Sequence, residues 1–221
     1  MKLVRLRAPG GLENLKLVEE DHPKPRPGEL LVRIRANSLN FVDDLLALGK
    51  LPCADGRIPM SDGAGKVIAV GDDVDEFKVA DTVVSTFWPH WLGGEMTPAT
   101  KRDIPGESVD GYAREYVCMP AHAFTKAPAG YTHVEAATLT CAGVTAWRGL
   151  VVCGQVKPGD TVLILARVVY RCSRCNSRKL RVPELSRRLP PRRSWKSSSV
   201  SEPTPSSITR PCRTGARRQR I

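Results

Sequence analysis

Apolar and polar residues change their period several times along the chain, and each change marks an element. "LKLVEED", from Leu15, and "ELLVRIRANSLN", from Glu29, alternate with period two, the pattern of half-buried antiparallel strands. Between them Pro23, Pro25 and Pro27 lead into Gly28, a run that neither a helix nor a sheet interior tolerates, so a turn is expected. "NFVDDLLALGKLP", from Asn40, predicts a short helix stopped by Gly49, and "GAGKVIAVGDDVDEFKVADTVVS" predicts a strand, a Gly-Asp turn and a second strand. "GYAREYVCMPAHAFTKAP" supplies two more short strands. In "THVEAATLTCAGVTAWRGLVV", Thr132 can cap, Glu135 sits three residues on, and an Ala-rich run follows, which predicts a helix. "VKPGDTVLIL" ends in a nearly all-apolar strand over 161–165, of the kind buried on both faces. The expected fold class is mainly β with helices: a small β-barrel, a helix, then the first strand of a parallel arrangement.

Composition changes this picture only at the far end. The 221 residues are 41% hydrophobic, enough for one sizeable core. No apolar run approaches the roughly 18 residues a transmembrane helix needs, so no membrane partner is expected. The first residues, "MKLVRLRAPGG", lack the apolar region of a secretory signal, and seven irregularly spaced cysteines suit a reducing, cytoplasmic compartment better than a disulfide framework. The net charge of +11 is unevenly placed: residues 167–221 hold 16 Lys and Arg against only Glu184 and Glu202, a net of +14, which leaves the first 166 residues at −3. That Ser-, Pro- and Arg-rich stretch has too little apolar surface to offset the entropy of ordering, and a disordered tail is expected.

Five segments, taken in order, carry a resemblance. "PKPRPGELLVRIRANSLNFVD", "RIPMSDGAGKVIAVGDDVDEFKVADTV", "DGYAREYVCMPA", "EAATLTCAGVTAWRGL" and "VKPGDTVLIL" resemble the medium-chain dehydrogenase/reductase superfamily, within it the zinc-independent quinone-oxidoreductase-like branch. The resemblance runs from Met1 to about Leu165. It implies a GroES-like β-barrel as catalytic domain over 1–130, a linking helix and first strand of a Rossmann domain over 131–166, and a basic tail over 167–221. The reaction it implies is hydride transfer between NADP or NAD and a quinone, enone, aldehyde or alcohol, in a protein family whose members often form homo-oligomers.

A catalytic zinc needs three Cys, His or carboxylate ligands and an open fourth position. Where zinc-dependent relatives carry a Cys this chain has Asn40, and where they carry Gly-His-Glu it reads Met60-Ser61-Asp62; Cys141 alone stands at a ligand position. No zinc is therefore expected. Asp43 matches the family's Asn-x-x-Asp pattern, and the resemblance implies that Asn40 and its neighbours polarise the carbonyl by hydrogen bonding. Asn40 can equally be a loop residue that caps the following helix. Thr145 resembles the residue beside the nicotinamide, or is a helix-buried Thr. His22, His90, His122 and His133 have no ligand spacing. Phe87, Trp88 and Trp91 form a loop that either flanks a substrate cleft or tucks onto the barrel. Cys172 and Cys175 have C-x-x-C spacing, but only Cys212 follows them.

A dinucleotide site needs a Gly-rich turn directly after its first strand. Here "TVLIL" runs into "ARVVYRCSRCNSRK", with no glycine between Gly159 and Gly215. Codons formed from the last base of each codon and the first two of the next allow a different reading. From Leu165 to Pro183 they permit "GTGGVSLFALQFAKAAGA", and from Glu184 to Lys196 "VIATSSSEEKLE", the Gly-rich turn, helix, strand and helix that this reading frame lacks. A one-nucleotide frameshift near Ala166 is the expected cause, and the chain as written is expected to be an inactive fragment that binds little or no NADP. Two other readings stay open: a noncatalytic GroES-like binding module, and a nucleic-acid binder acting through the basic tail.

Overall fold

The computed structural model describes residues 1–157 and residue 162. The strand expected over 161–165, residue 162 apart, the C-x-x-C pair and the basic tail lie outside the described residues. Chain contacts gather Met1–Cys141 into one compact unit, and the described residues from Ala142 onward belong to a second.

The first unit is mostly strand. A two-stranded antiparallel sheet pairs β1 (Lys2–Leu6) with β2 (Leu15–Glu19); β1 is not among the strands expected from the sequence. Its Leu3 and Leu6 are buried, and isolated bridges tie Leu3 to Arg114 and Leu6 to Arg57. The main sheet contains β3 (Glu29–Ser38), β4 (Asp62–Val70), β5 (Thr82–Ser85), β6 (Tyr116–Pro120) and β7 (Phe124–Lys126), in the order β6-β3-β4-β5-β7, with every pairing antiparallel. Its two outermost strands, β6 and β7, are consecutive in the chain and joined by the single 3-10 turn Ala121–Ala123. Three residues cannot span an open five-stranded sheet at nearly 5 Å per strand, so the sheet curls until its edges nearly meet, as a small barrel does.

Alternation decides which side faces in. In β3, Leu30 and Val32 are buried while Arg33 and Arg35 are exposed. Leu30 and Val32 join Val67, Val83, Val117 and Phe124 in the barrel core. The pairing of β3 with β4 shifts between Ile34 and Ala36, a bulge that bends the strand. Gly65 sits in this crossing with its Cα against the neighbouring backbone: a Cβ there would stand 2.1 Å from the Arg33 carbonyl oxygen.

Two helical segments flank the sheet. α1 (Phe41–Ala47) ends as the sequence predicts, with Gly49 at φ +67°. Lys50 N–H bonds to Leu45 O and Gly49 N–H to Leu46 O, the paired closure of a Schellman end. α2 (His133–Ala137) starts at Thr132, which with Glu135 makes the expected capping box. Its Ala136 and Ala137 pack on Ala64 of β4 and Val84 of β5, small residues that let helix and sheet approach closely.

The single helix expected from Thr132 onward is interrupted. After α2 comes a π-helical turn, Leu139–Gly143. The side chains explain the break: Thr138 Oγ1 bonds back to Glu135 O at 2.7 Å, and Thr140 Oγ1 donates sideways to Ser85 O at 2.9 Å. In the second unit, taken by itself, α3 (Val144–Trp147) leads into a π-helical turn, Arg148–Cys153, closed by Gly154 N–H on Gly149 O. Among the described residues no helix is long and apolar enough to cross a membrane.

Candidate active site

The starts of α1 and β4, the end of β5 and the turn around Cys141 converge on a buried polar cluster. Asp43 and Asp62 are 3% and 0% exposed, and Ser61, Ser85 and Thr140 are buried with them. Buried polar groups persist only when hydrogen-bonded, and the partners here are explicit.

Asn40 occupies the N-cap of α1, with extended backbone, and forms a capping box with Asp43. Asp43 Oδ2 accepts the Asn40 N–H at 2.8 Å, and its Oδ1 accepts the Ser61 N–H at 3.1 Å. One carboxylate thereby ties the helix start to the entry of β4. Asn40 Nδ2 donates to Ser61 Oγ at 3.2 Å, and Ser61 Oγ donates to Asp62 Oδ1 at 3.1 Å. Asp62 Oδ2 accepts the backbone N–H of Cys141 at 3.3 Å. On the outer side, Asn37 Nδ2 bonds to the carbonyls of Asp62 and Tyr112, both at 3.0 Å. Ser85 Oγ accepts the Gly63 N–H at 2.9 Å and lies 3.2 Å from Thr140 Oγ1.

Burial dominates the electrostatics. It pushes Asp62 up to about 6, against the hydrogen bonds of Asn40, Ser61 and Cys141, and neighbouring Asp43 pushes the same way. Burial also raises Asp43, opposed by the N–H groups of Asn40 and Ser61 and by the Asn40 amide.

The structure thus brings Asn40 and Asp43 into one network. It places Thr145 on α3 of the second unit, exposed to solvent. His90 Nε2 lies 2.8 Å from Asp103 Oδ2. Phe87, Trp88 and Trp91 stack edge to face in a half-buried loop, with ring centroids 5.1 and 5.9 Å apart. Sequence reasoning did not single out Asp62, Ser85 or Thr140 as parts of the site. The signal for Asp62 was its neighbour: a carboxylate beside a residue that stands at a ligand position.

The donor set does not suit zinc. Asn40 and Ser61, which the sequence resemblance sets at two of the ligand positions, offer a carboxamide and a hydroxyl already bonded to each other, where zinc takes thiolate, imidazole or carboxylate. Among the described residues no three of His, Cys, Asp and Glu are grouped to hold a metal ion.

Residues 26–129 match the alcohol dehydrogenase GroES-like domain. The "Zinc-type alcohol dehydrogenase-like protein C1773.06c" of Schizosaccharomyces pombe is 42% identical over 160 residues, which are 70% of this chain and 46% of that protein. A mycocerosic acid synthase-like polyketide synthase of Mycobacterium tuberculosis is 37% identical over 163 residues, 73% of this chain and 7% of the synthase. The solved structure of a cobalt- and zinc-bound thermostable alcohol dehydrogenase from Pyrobaculum aerophilum superposes with a TM-score of 0.62 at 30% identity, covering 73% of this chain and 50% of that one. The chain spans about half the length of the alcohol dehydrogenases it matches. The barrel, its helix and this relatedness place the chain in the medium-chain dehydrogenase/reductase superfamily, as a member that carries the N-terminal GroES-like domain.

Proposed function

We propose that the gene's product, read in one continuous frame, is a zinc-independent oxidoreductase that uses NADP or NAD on a quinone, enone, aldehyde or alcohol. We further propose that the chain as written is an inactive fragment of it. The observation that carries the zinc-free reading is the Asn40–Ser61–Asp62 chain of hydrogen bonds, standing where relatives by resemblance would ligate a metal. The chemistry that NADPH or NADH would supply, when bound, is the hydride. This chain's own residues supply the polar wall: Asn40, half-buried at a helix start, offers an amide N–H to a substrate oxygen and stabilises charge developing there. Asp43 holds the N-cap backbone, and with it the amide's origin, against the entry of β4. Preorganisation of this kind acts because the donors need not reorient during reaction.

The inactive-fragment reading rests on the sequence after Leu165, where a Gly-rich turn is needed and Ala166-Arg167-Val168-Val169 stands. Arginines along a polar tail attract phosphate without fixing a nicotinamide within the roughly 3–3.5 Å of a reacting carbon that hydride transfer requires. Resequencing the gene around the Leu165 codon, then restoring the frame near Ala166, tests both parts. The restored protein should gain NADPH binding and reductase activity together. Micromolar NADPH binding by the unrestored chain would overturn the fragment reading. A restored protein that ignores both cofactors would overturn the proposed reaction.

A further inference from the structure

We propose that Asp62 is the positioning residue of this site: it fixes the direction of the Ser61 hydroxyl and, through Ser61, decides which end of the Asn40 amide faces inward. The inference rests on the oxidoreductase reading for its functional meaning, and on hydrogen-bond valence for its content.

A serine hydroxyl has one proton and two lone pairs, an amide nitrogen only donates, and an ionised carboxylate only accepts. Asp62 is wholly buried, so no bulk water can satisfy its oxygens. Oδ2 takes the Cys141 N–H and Oδ1 takes the Ser61 hydroxyl proton. With that proton committed, Ser61 Oγ can face Asn40 only as an acceptor. The group at 3.2 Å must therefore be the amide nitrogen, Nδ2. Flipping the amide would set its oxygen against Ser61 Oγ, and both would compete with Asp62 for one proton. Either Asp62 Oδ1 would then lose its Ser61 donor or two oxygens would meet unbridged. Both outcomes are costly in a buried site.

The helix start holds the backbone from which the same amide projects, because the Asp43 N–H bonds to the Asn40 carbonyl at 3.0 Å and Asp43 Oδ2 accepts the Asn40 N–H at 2.8 Å. The orientation is thus set from two directions. One amide N–H goes to Ser61, and the amide also faces the carboxyls of Asp43 and Asp62, which accept from its nitrogen and never from its oxygen. Removing the Asp62 carboxylate releases the Ser61 proton, and the amide loses its reason to point one way.

The test reads the Asn40 side-chain NH2 signals in the 15N-labelled full chain without cofactor, identified by their loss in Asn40→Asp. The native pair should be resolved and slow to exchange. In Asp62→Ala and in Ser61→Ala the pair should shift and exchange about tenfold faster or more, the loss expected for a hydrogen bond linked to a charged group. Asp62→Asn keeps an acceptor oxygen for the Ser61 hydroxyl and should retain the native signals. Thr132→Ala destabilises the fold at a distance through the α2 cap, and should lower the melting temperature while leaving the Asn40 pair in place. Native-like Asn40 signals in Ser61→Ala, or in a folded Asp62→Ala, would overturn the proposal. An equal change in Thr132→Ala would also overturn it, by reducing the effect to general loosening. If Asp62→Ala does not fold, Ser61→Ala and Asp62→Asn decide the matter on the same readout. No cofactor or substrate enters the measurement, so an inactive frame-restored enzyme would fail the reading above without touching this one.

Discussion

Asp43 and Asp62 share Ser61 between them: one takes its backbone N–H and the other its hydroxyl, each at 3.1 Å. Two carboxylates are thereby drawn to one residue inside the protein, each raising the cost of ionising its neighbour.

A pH dependence follows, with a definite sign. The Asp62 carboxyl sits at about 6 in the folded chain against an ordinary 3.8. Between those values the native state holds a proton that the unfolded chain has lost, so this group's stabilisation is full below pH 3.8 and fades as pH rises towards 6. The span corresponds to about 3 kcal/mol. Asp43 shifts in the same direction. Urea midpoints measured between pH 4 and 7 should fall across this window, and Asp62→Asn should flatten the fall. An unchanged slope in Asp62→Asn would assign the dependence elsewhere.

Zinc should not bind tightly. Metal analysis of the purified chain should give zinc far below one equivalent, and about one retained zinc per chain would contradict the reading of the donor set. The double variant Asn40→Cys with Ser61→His replaces two mutually bonded neutral groups by two zinc ligands, and it should gain zinc affinity that neither single change gives.

The α2 cap offers a stability test outside the site. Thr132 Oγ1 accepts the Glu135 N–H at 3.2 Å, and Glu135 Oε2 accepts the Thr132 N–H at 3.0 Å. Thr132→Ala should cost about 1 kcal/mol. Because the two bonds are reciprocal, adding Glu135→Ala should cost less than its separate effect, a non-additivity that a double-mutant cycle measures directly.

Alanine should be costly at Gly65 and nearly neutral at Gly93. At Gly65 the new Cβ would meet the Arg33 carbonyl oxygen at 2.1 Å, backbone against backbone, so β3 and β4 must separate. A loss of about 3 kcal/mol or more is expected, read as a lower urea midpoint. At Gly93 nothing lies within 4 Å, and the change should stay within about 0.5 kcal/mol.

Local pattern made most of the barrel legible. The alternation from Glu29 to Ser38, the glycine end of α1 and the Thr132–Glu135 cap all act within a few residues, and each was found where expected. What stayed hidden depends on distant partners. The "DD" of Asp43-Asp44 reads as one turn of helix surface, yet Asp43 is buried and Asp44 exposed. The difference is made by Ser61, 18 residues away. Asp62 is buried because Cys141 reaches it from 79 residues further on. The break after Ala137 was equally hidden, since Thr140 turns to a carbonyl 55 residues earlier in the chain. No spacing rule reports such meetings.

The short turn between the two outermost strands also sets a timetable. Arg33 of β3 meets its partner Tyr116 only 83 residues later. At a synthesis rate of about 5–20 residues per second, the growing chain waits roughly 4–17 s with that strand edge open to other partners. Ala121–Ala123 then delivers β7 to the far side almost at once, and both edges close as a pair. Lys126, the last residue of that closure, is translated 40 residues before Ala166. Whatever frame the ribosome follows beyond that codon, every strand of the barrel has already been made.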